Sequence, residues 1–389
     1  YFIALQKQRV TLRSKEVMLQ FEGSSTFRHV IVCSILSRRP ITINRIRVEE
    51  DPPGIQAHEA NFLKFVDRFT TGSTFQVSEQ NTKLVFNPGM ILGGVFSHEV
   101  PTQRCVTYVA EAVLLLMPFA KYDSRVTLVG STQSEYDLCV DTLRTVTTRW
   151  VNLFGVQSSV RLIRRGCAPG GNGAIEVSCQ AVRRLKSINV IDRGMVKRIR
   201  GISFACKVAP DLPQRAATAA KGVLLGLLPD VYVVTDVDDA KNRRQEMISG
   251  YGVMLVAETT SKTCVISQET IAMASTTVRE SPEEVGQRAA HLLLDQIFEA
   301  GCIDGHHQML VLLMMALTPD EISTAKLGPL NSSGVSALIM METFFGVTCA
   351  VKEEKPRGGD NEEDERLPAP VLVTCMGSNT VNVWKKSSQ

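Results

Sequence analysis

Two periods run through this chain, one near 3.6 residues and one of two, and the changes between them mark out its elements. Residues 6–22, containing QKQRVTLR and KEVMLQF, read as strands. RHVIVCSILSR (28–38) carries apolar residues at helical spacing, and PITINRIRV (40–48) returns as a strand that stops at the DPPG turn of 51–54. HEANFLKFVDRFT (58–70) predicts an amphipathic helix and TKLVFNP (82–88) a strand. The alternation continues with a helix over 105–121, a strand over 125–131, a second helix over 137–155, and strands over 159–166 and 174–180. Helices are expected again at 282–301 and 307–318, followed by a helix-then-strand step over 333–353 and a closing strand VLVTCM at 371–376. The recurrence places the chain in the α/β (α+β) class, as repeated β-α units of roughly 60–100 residues whose helices pack on one sheet face.

The middle differs. Residues 192–236 supply strand, helix and strand, a polar loop spans 237–250, and YGVMLVAETT (251–260) is a further strand. Such a self-contained run reads as a smaller inserted α/β domain. The expected organisation is a large domain over 1–187, the insertion over 188–281, and the rest of the large domain over 282–389. Within that last part, PRGGDNEEDERLPAP (356–370) is expected to be a disordered loop, since its charge and prolines bury too little surface to offset chain entropy.

Composition narrows the class. No apolar run approaches the roughly 18 residues that cross a bilayer, and the N-terminal YFIALQKQRV has no signal-like apolar region. The ten cysteines include no CxxC pair, so a zinc site or disulfide scaffold is not expected, and reduced thiols in a soluble intracellular protein are. Net charge is only +3, but residues 161–200 hold ten Lys or Arg against Glu176 and Asp192. Such a block suits a polyanion or an acidic partner surface; an Arg-rich solvated face would look the same. Inside it lies RRGCAPGGNGAIEV (164–177), which reads either as a phosphate cradle or as a tight turn whose glycines supply positive φ.

Four stretches in sequence order resemble the RNA 3′-terminal phosphate cyclases and their non-cyclising relatives. The glycine loop matches the family pattern at Arg165, Gly166, Pro169, Gly171, Gly173 and Ile175, with Asn172 departing at the middle glycine. SRRPITINRIRVEEDPPGI (37–55), with Arg47, Pro53 and Gly54, is similar to a second family segment, and GSTQSEYDLCVD (130–141) to a third. IDGHHQMLVLLMMAL (303–317) resembles the histidine segment and puts His306 at the nucleophile's place. A cyclase attacks the α-phosphate of ATP with that imidazole, then passes the nucleotide to an RNA 3′-phosphate, which the 2′-hydroxyl closes into a cyclic ester.

The resemblance also marks what this chain lacks. Two positions that are acid and amide in active cyclases are Met309 and Leu310 here, and an aliphatic side chain neither orients an imidazole nor holds a metal-bound water. In FEGSSTFR (21–28) the family's acid falls on Phe21 and its Gln on Ser25, with the glycine run lost; a shifted alignment would restore only Glu22. GPLNSSGV (328–335) replaces the segment that helps to bind the nucleotide. VKRIRGISF (196–204), VAETTS (256–261) and LGPL (327–330) look instead like the ribosome-assembly branch.

That branch implies a nucleolar factor of the small-subunit processome, without catalysis, cofactor or metal. It would bind a large assembly GTPase beside pre-rRNA and snoRNP, as a monomer within the complex, in early cleavage toward small-subunit rRNA. His306 is then a vestige, with His307 an equal candidate, and the loop of Arg165, Gly166, Pro169, Gly171 and Gly173 a relict. RNA or partner contacts are expected at Arg47, Arg164, Arg165, Arg193, Lys197, Arg198 and Arg200. The enzyme alternatives are a cyclase acting through His306 or a pre-rRNA endonuclease.

Overall fold

Three times along the chain, the same run of elements folds into the same kind of sheet. A computed structural model describes residues 18–167, 171–238, 250–273, 280–354 and 369–385. In the first unit, β1 (Leu19–Glu22), α1 (Phe27–Ser37), β2 (Ile41–Asn44) and α2 (Ala57–Phe69) lead through the short β3 (Thr70–Thr71) to β4 (Thr74–Val77) and β5 (Leu84–Asn87). The sheet runs β1-β2-β5-β4, with its first pair parallel and the rest antiparallel. After β6 (Met90–Ile91), which pairs with β3, the second unit repeats the scheme. It comprises β7 (Val95–Glu99), α3 (Thr107–Leu116), β8 (Ser124–Gly130), a helix in three segments, β9 (Ser158–Arg164) and β10 (Gly173–Cys179), ordered β7-β8-β10-β9. Those segments are α4 (Val140–Thr142), a π-helical stretch Leu143–Thr147 and α5 (Thr148–Leu153).

The third unit is split. β11 (Asn189–Val190) pairs in parallel with β16 (Ile322–Leu327), Asn189 opposite Thr324 and Val190 opposite Ala325. The chain then leaves for the middle unit and comes back at Ile303, which bridges Leu327, also in parallel. The middle unit consists of β12 (Val196–Cys206), α6 (Asp211–Leu224), β13 (Val231–Asp238), β14 (Gly250–Thr259), β15 (Val265–Met273) and α7 (Pro282–Phe298), its sheet ordered β13-β12-β14-β15. α6 and α7 pack together and on this sheet. Their approach is close: a Cβ on Gly286 would lie 2.1 Å from the Ala216 carbonyl. The third unit closes with α8 (Gln308–Ala316), α9 (Ser332–Phe345), β17 (Cys349–Glu353) and β18 (Val371–Met376), in sheet order β11-β16-β18-β17.

Helices of all three units meet in one core. All nine residues of α8 are buried, as an apolar helix without a polar face requires. α3 packs between α1 and α8, and α9 packs on α1 and α8. The C-terminal segment then returns to the second unit, where the buried Asn382 Nδ2 donates to the Ala120 carbonyl at 2.8 Å and the Pro118 carbonyl at 3.4 Å.

The α/β class and its repeats are as the sequence reading has them, with local differences. β2 stops at Asn44, short of the strand expected to 48, because the backbone turns left-handed at Arg45 (φ 51°) and Arg47 (φ 42°). The helix expected over 105–121 ends at Leu116 and tightens into a turn at Met117–Phe119, where Pro118 has no N–H to extend the ladder. Strands β4, β7 and β15 are additions: TFQV and VFSHE are too short and polar to stand out, and β15 is VISQETIAM, in which polar residues interrupt the apolar run. The strands expected before residue 18, and nearly all of the acidic tract 356–370, lie outside the described residues. No helix among the described residues is long and apolar enough to cross a membrane. All ten cysteines are free, and nine are buried.

Candidate functional site

A cleft of about 880 Å³ lies where the first two units meet β15 and α7. His306 is exposed at its edge, one residue before the N-cap of α8, and its Nε2 donates to Gln268 Oε1 at 2.5 Å. The charged groups around it are matched to one another. Arg28 reaches Glu111 at 2.7 Å and the Tyr108 carbonyl at 2.6 Å. Arg104 grips Asp137 with two bonds of 2.8 and 2.5 Å, and Arg288 pairs with Glu280. Glu269 accepts from the Cys139 amide at 2.6 Å and from the Thr142 hydroxyl, at the N-terminus of α4. Of the carboxylates lining this cleft, Glu111, Asp137, Glu269 and Glu280 each have a donor and Glu135 is exposed, so an incoming polyphosphate would have to displace an internal partner of Arg28, Arg104 or Arg288.

Behind His306 the surroundings are apolar. Met309 and Leu310 are buried in α8. Phe21, at the aligned place of the family's acid, stacks on Phe344 with centroids 5.2 Å apart. In GPLNSSGV, Asn331 caps α9 by accepting from the Gly334 amide at 2.8 Å, while its Nδ2 donates to the Gly305 carbonyl at 2.7 Å. His307 differs from its neighbour: it is 1% exposed, with Nδ1 2.6 Å from Asp304 Oδ1 and Nε2 2.8 Å from the Thr147 hydroxyl. Burial disfavours charge on this ring, but the Asp304 carboxylate outweighs it and raises the histidine pKa. Asp304 is held at about 2; its burial pushes the other way and is outweighed by His307. With both nitrogens engaged in the core, His307 is a structural residue.

The glycine loop folds onto itself. The Thr132 amide donates to the Gly166 carbonyl at 2.6 Å, the Gly166 amide to the Thr132 hydroxyl at 3.1 Å, and the Gly171 amide to the Cys167 carbonyl at 3.1 Å. A Cβ on Gly166 would meet the Gly171 carbonyl at 2.2 Å, and one on Gly173 the Thr132 side chain at 2.5 Å. Gly171 and Asn172 both take positive φ, so Asn172 fills a left-handed position that it tolerates. Pro169 lies outside the described residues.

The seven expected contact residues do not form one face. Arg165 corrects the expectation most sharply. It is 3% exposed, binds Asp141 at 2.7 and 3.1 Å and Asp236 of β13 at 2.6 and 2.9 Å, and lies over the Phe204 ring. Asp141 also takes Arg144 at 2.8 Å, and the bond of Arg165 to Asp236 ties the second unit to the middle sheet. Arg47 is likewise turned inward, forming a fork on Glu59 at 2.6 and 2.8 Å. Arg164 donates to the Asn172 carbonyl, and Arg193 to the Ile297 carbonyl at the end of α7. Arg198 pairs with Glu258 at 2.7 Å and Arg200 with Asp230 at 2.8 Å, while Lys197 is exposed.

The sequence reading missed Gln268, Arg104 and Arg288 in the cleft, and Asp141 and Asp236 at the inner ion pair. Spacing gives no signal for them: Gln268 meets His306 and Asp236 meets Arg165 across unit boundaries, and Arg104 meets Asp137, 33 positions along the chain, only once that stretch is folded back. Among the described residues, no three His, Cys, Asp or Glu side chains are placed to hold a metal ion.

Comparison with known proteins follows the same lines. The profile of the RNA 3′-terminal phosphate cyclase family matches residues 19–351. A probable RNA 3′-terminal phosphate cyclase-like protein of Dictyostelium discoideum is 38% identical over 95% of this chain and 100% of its own length. The human RNA 3′-terminal phosphate cyclase-like protein is 33% identical, over 94% of this chain and 97% of its own. The rRNA processing protein rcl1 of Schizosaccharomyces pombe is 32% identical, over 94% and 98%.

Proposed function

We propose that this chain, which belongs to the RNA 3′-terminal phosphate cyclase family, serves in rRNA processing as an assembly factor and not as a cyclase. One observation carries the reading: the helix that follows His306 presents the buried Met309 and Leu310 where catalysis needs an acid and an amide. General-base or metal-assisted activation of an imidazole requires polar partners fixed within hydrogen-bond reach. Among the described residues, His306 has only Gln268, a neutral amide, within hydrogen-bond reach. The glycine loop supports the same reading, since its amides at Gly166 and Gly171 are bonded within the protein. The relatives named for being cyclase-like, and the one named for rRNA processing, agree with it.

On this proposal the protein acts in the nucleolus, within the small-subunit processome, as a single copy bound to a large assembly GTPase. The test has two arms. Incubation with ATP labelled at the α-phosphate, with magnesium, is expected to leave the protein unlabelled; an adduct that His306→Ala abolishes would restore the cyclase. Affinity purification of the native particle is expected to bring down a large GTPase and pre-rRNA, and a preparation containing neither would end the assembly reading.

A further inference from the structure

α6 and α7 cover one face of the middle sheet, and the other face is only partly occupied. Register defines two rows on it: Tyr232, Arg200 and Val256 across β13, β12 and β14, and next to them Val234, Ile202 and Met254. One step further along lie Asp236 and Phe204, where Arg165 docks the sheet onto the second unit. Beyond that point the sheet and the α4–α5 helix diverge, leaving a groove of about 450 Å³ between them. Tyr232 is 61% exposed there and Val234 39%.

The helix side supplies charge. Arg144 and Arg149 line the groove opposite Arg200, with Glu258 as the one acid of the lining. Arg149 is exposed and has no ion-pair partner among the described residues. Arg144 lies in the π-helical stretch, where its guanidinium pairs with Asp141 and its buried Nε has no acceptor among the described residues. π segments that interrupt helices occur frequently at functional sites.

We propose that this groove binds single-stranded RNA, one base stacking on Tyr232 above the Val234 and Ile202 floor while the adjoining phosphates meet Arg149, Arg144 and Arg200. An exposed aromatic ring beside guanidinium groups is how single strands are held without sequence readout. Three arginines line the groove to one carboxylate. Arg144 and Arg200 are shared with Asp141 and Asp230, which leaves Arg149 as the cation unpaired among the described residues that suits a phosphate. A duplex does not fit, because its bases are stacked inside and a crevice between a helix and a sheet admits only a splayed one. The inference deepens the rRNA-processing reading and rests on it only for the kind of RNA involved.

The full chain is titrated into a fluorescein-labelled single-stranded RNA of mixed sequence, and into the same RNA annealed to its complement, with binding followed by anisotropy. Single strands are expected to bind better than duplex. Tyr232→Ala should weaken binding about tenfold, with Tyr232→Phe near wild type, and Arg149→Glu should weaken it comparably. Both side chains are exposed, so unchanged melting temperatures are expected. Absence of single-strand binding, variants that bind as the wild type does, or a Glu-rich peptide that occupies the site while RNA does not, would each overturn the groove assignment. Wild-type co-sedimentation with pre-ribosomal particles is scored separately, so that failure of the groove and failure of the processing role are told apart.

Discussion

Arg165 shows how a residue changes meaning between sequence and fold. In the sequence it is one of ten bases in a forty-residue block. In the fold it is buried between Asp141 and Asp236, residues 24 and 71 positions away. Nothing local in RRGC announces that, because inward pairing depends on carboxylates delivered by a helix and by the inserted strand. Removing one member of a buried pair leaves an uncompensated charge, a loss of about 3–5 kcal/mol. Arg165→Ala is expected near the lower end, because Arg144 still touches Asp141; urea denaturation of the full chain measures it. Lys197→Glu, on an exposed side chain, should change stability by less than about 0.5 kcal/mol in the same assay. The His307–Asp304 pair gives a pH signature. The histidine pKa is raised from 6.5, so its contribution is complete below 6.5 and fades as pH rises through the higher folded value. Asp304, lowered from 3.8 to about 2, contributes above 3.8 and loses that as pH falls toward 2. Wild-type melting temperature should therefore fall above neutrality relative to His307→Gln, which lacks the titration; parallel curves would refute the assignment.

At the scale of elements, the long helices and the strands with apolar runs are legible, and their packing partners are not. Amphipathic spacing in PEEVGQRAAHLLLDQIF reports a helix with one buried stripe, but not that the stripe lies on the middle sheet beside α6. The contact itself depends on Gly286 and Ala216, two small residues that no periodicity singles out. A methyl group at Gly286 must push the helices apart, and overpacking of this kind costs about 1–3 kcal/mol. Gly286→Ala is thus expected to lower the denaturation midpoint, whereas Gly222→Ala in α6, where an added Cβ meets nothing within 4 Å, should be neutral or stabilising. The candidate site follows the same division. His306, Met309 and Leu310 are readable because they are contiguous on one segment, while Gln268 and the groove of Tyr232 and Arg149 are assembled from separate units.

Across the whole molecule, the segment after β18 joins parts that are far apart in sequence. Asn382 reaches the Pro118 and Ala120 carbonyls, and Lys385 pairs with Asp123 at 2.8 Å. While the Pro118 carbonyl keeps the Val182 amide at 2.9 Å, Asn382→Ala would leave the Ala120 carbonyl without its donor, a loss of about 1–3 kcal/mol. Its effect should appear as one cooperative shift of the entire unfolding transition, because the strap couples the third unit to the second; a separate early transition would show that the two melt independently.

The split third unit has an evolutionary and practical consequence. β11 pairs Asn189 with Thr324 and Val190 with Ala325, so by register residue 192 would face Leu327, the place that Ile303 holds. The interrupted strand resumes in step, as if nothing had been spliced into it. The second unit shows the same seam in small: β7 ends with Glu99 opposite Val129, and Cys105 then bridges Ser131 after a detour over 100–104 that carries Arg104 to the cleft. Joining Ile191 directly to Ile303 would preserve the strand's register without a linker, and the excised middle unit would take with it one wall of the cleft and one wall of the RNA groove. Ancestral acquisition of that unit at a seam already present would thus have added two surfaces without disturbing a single strand pairing of the body that received it.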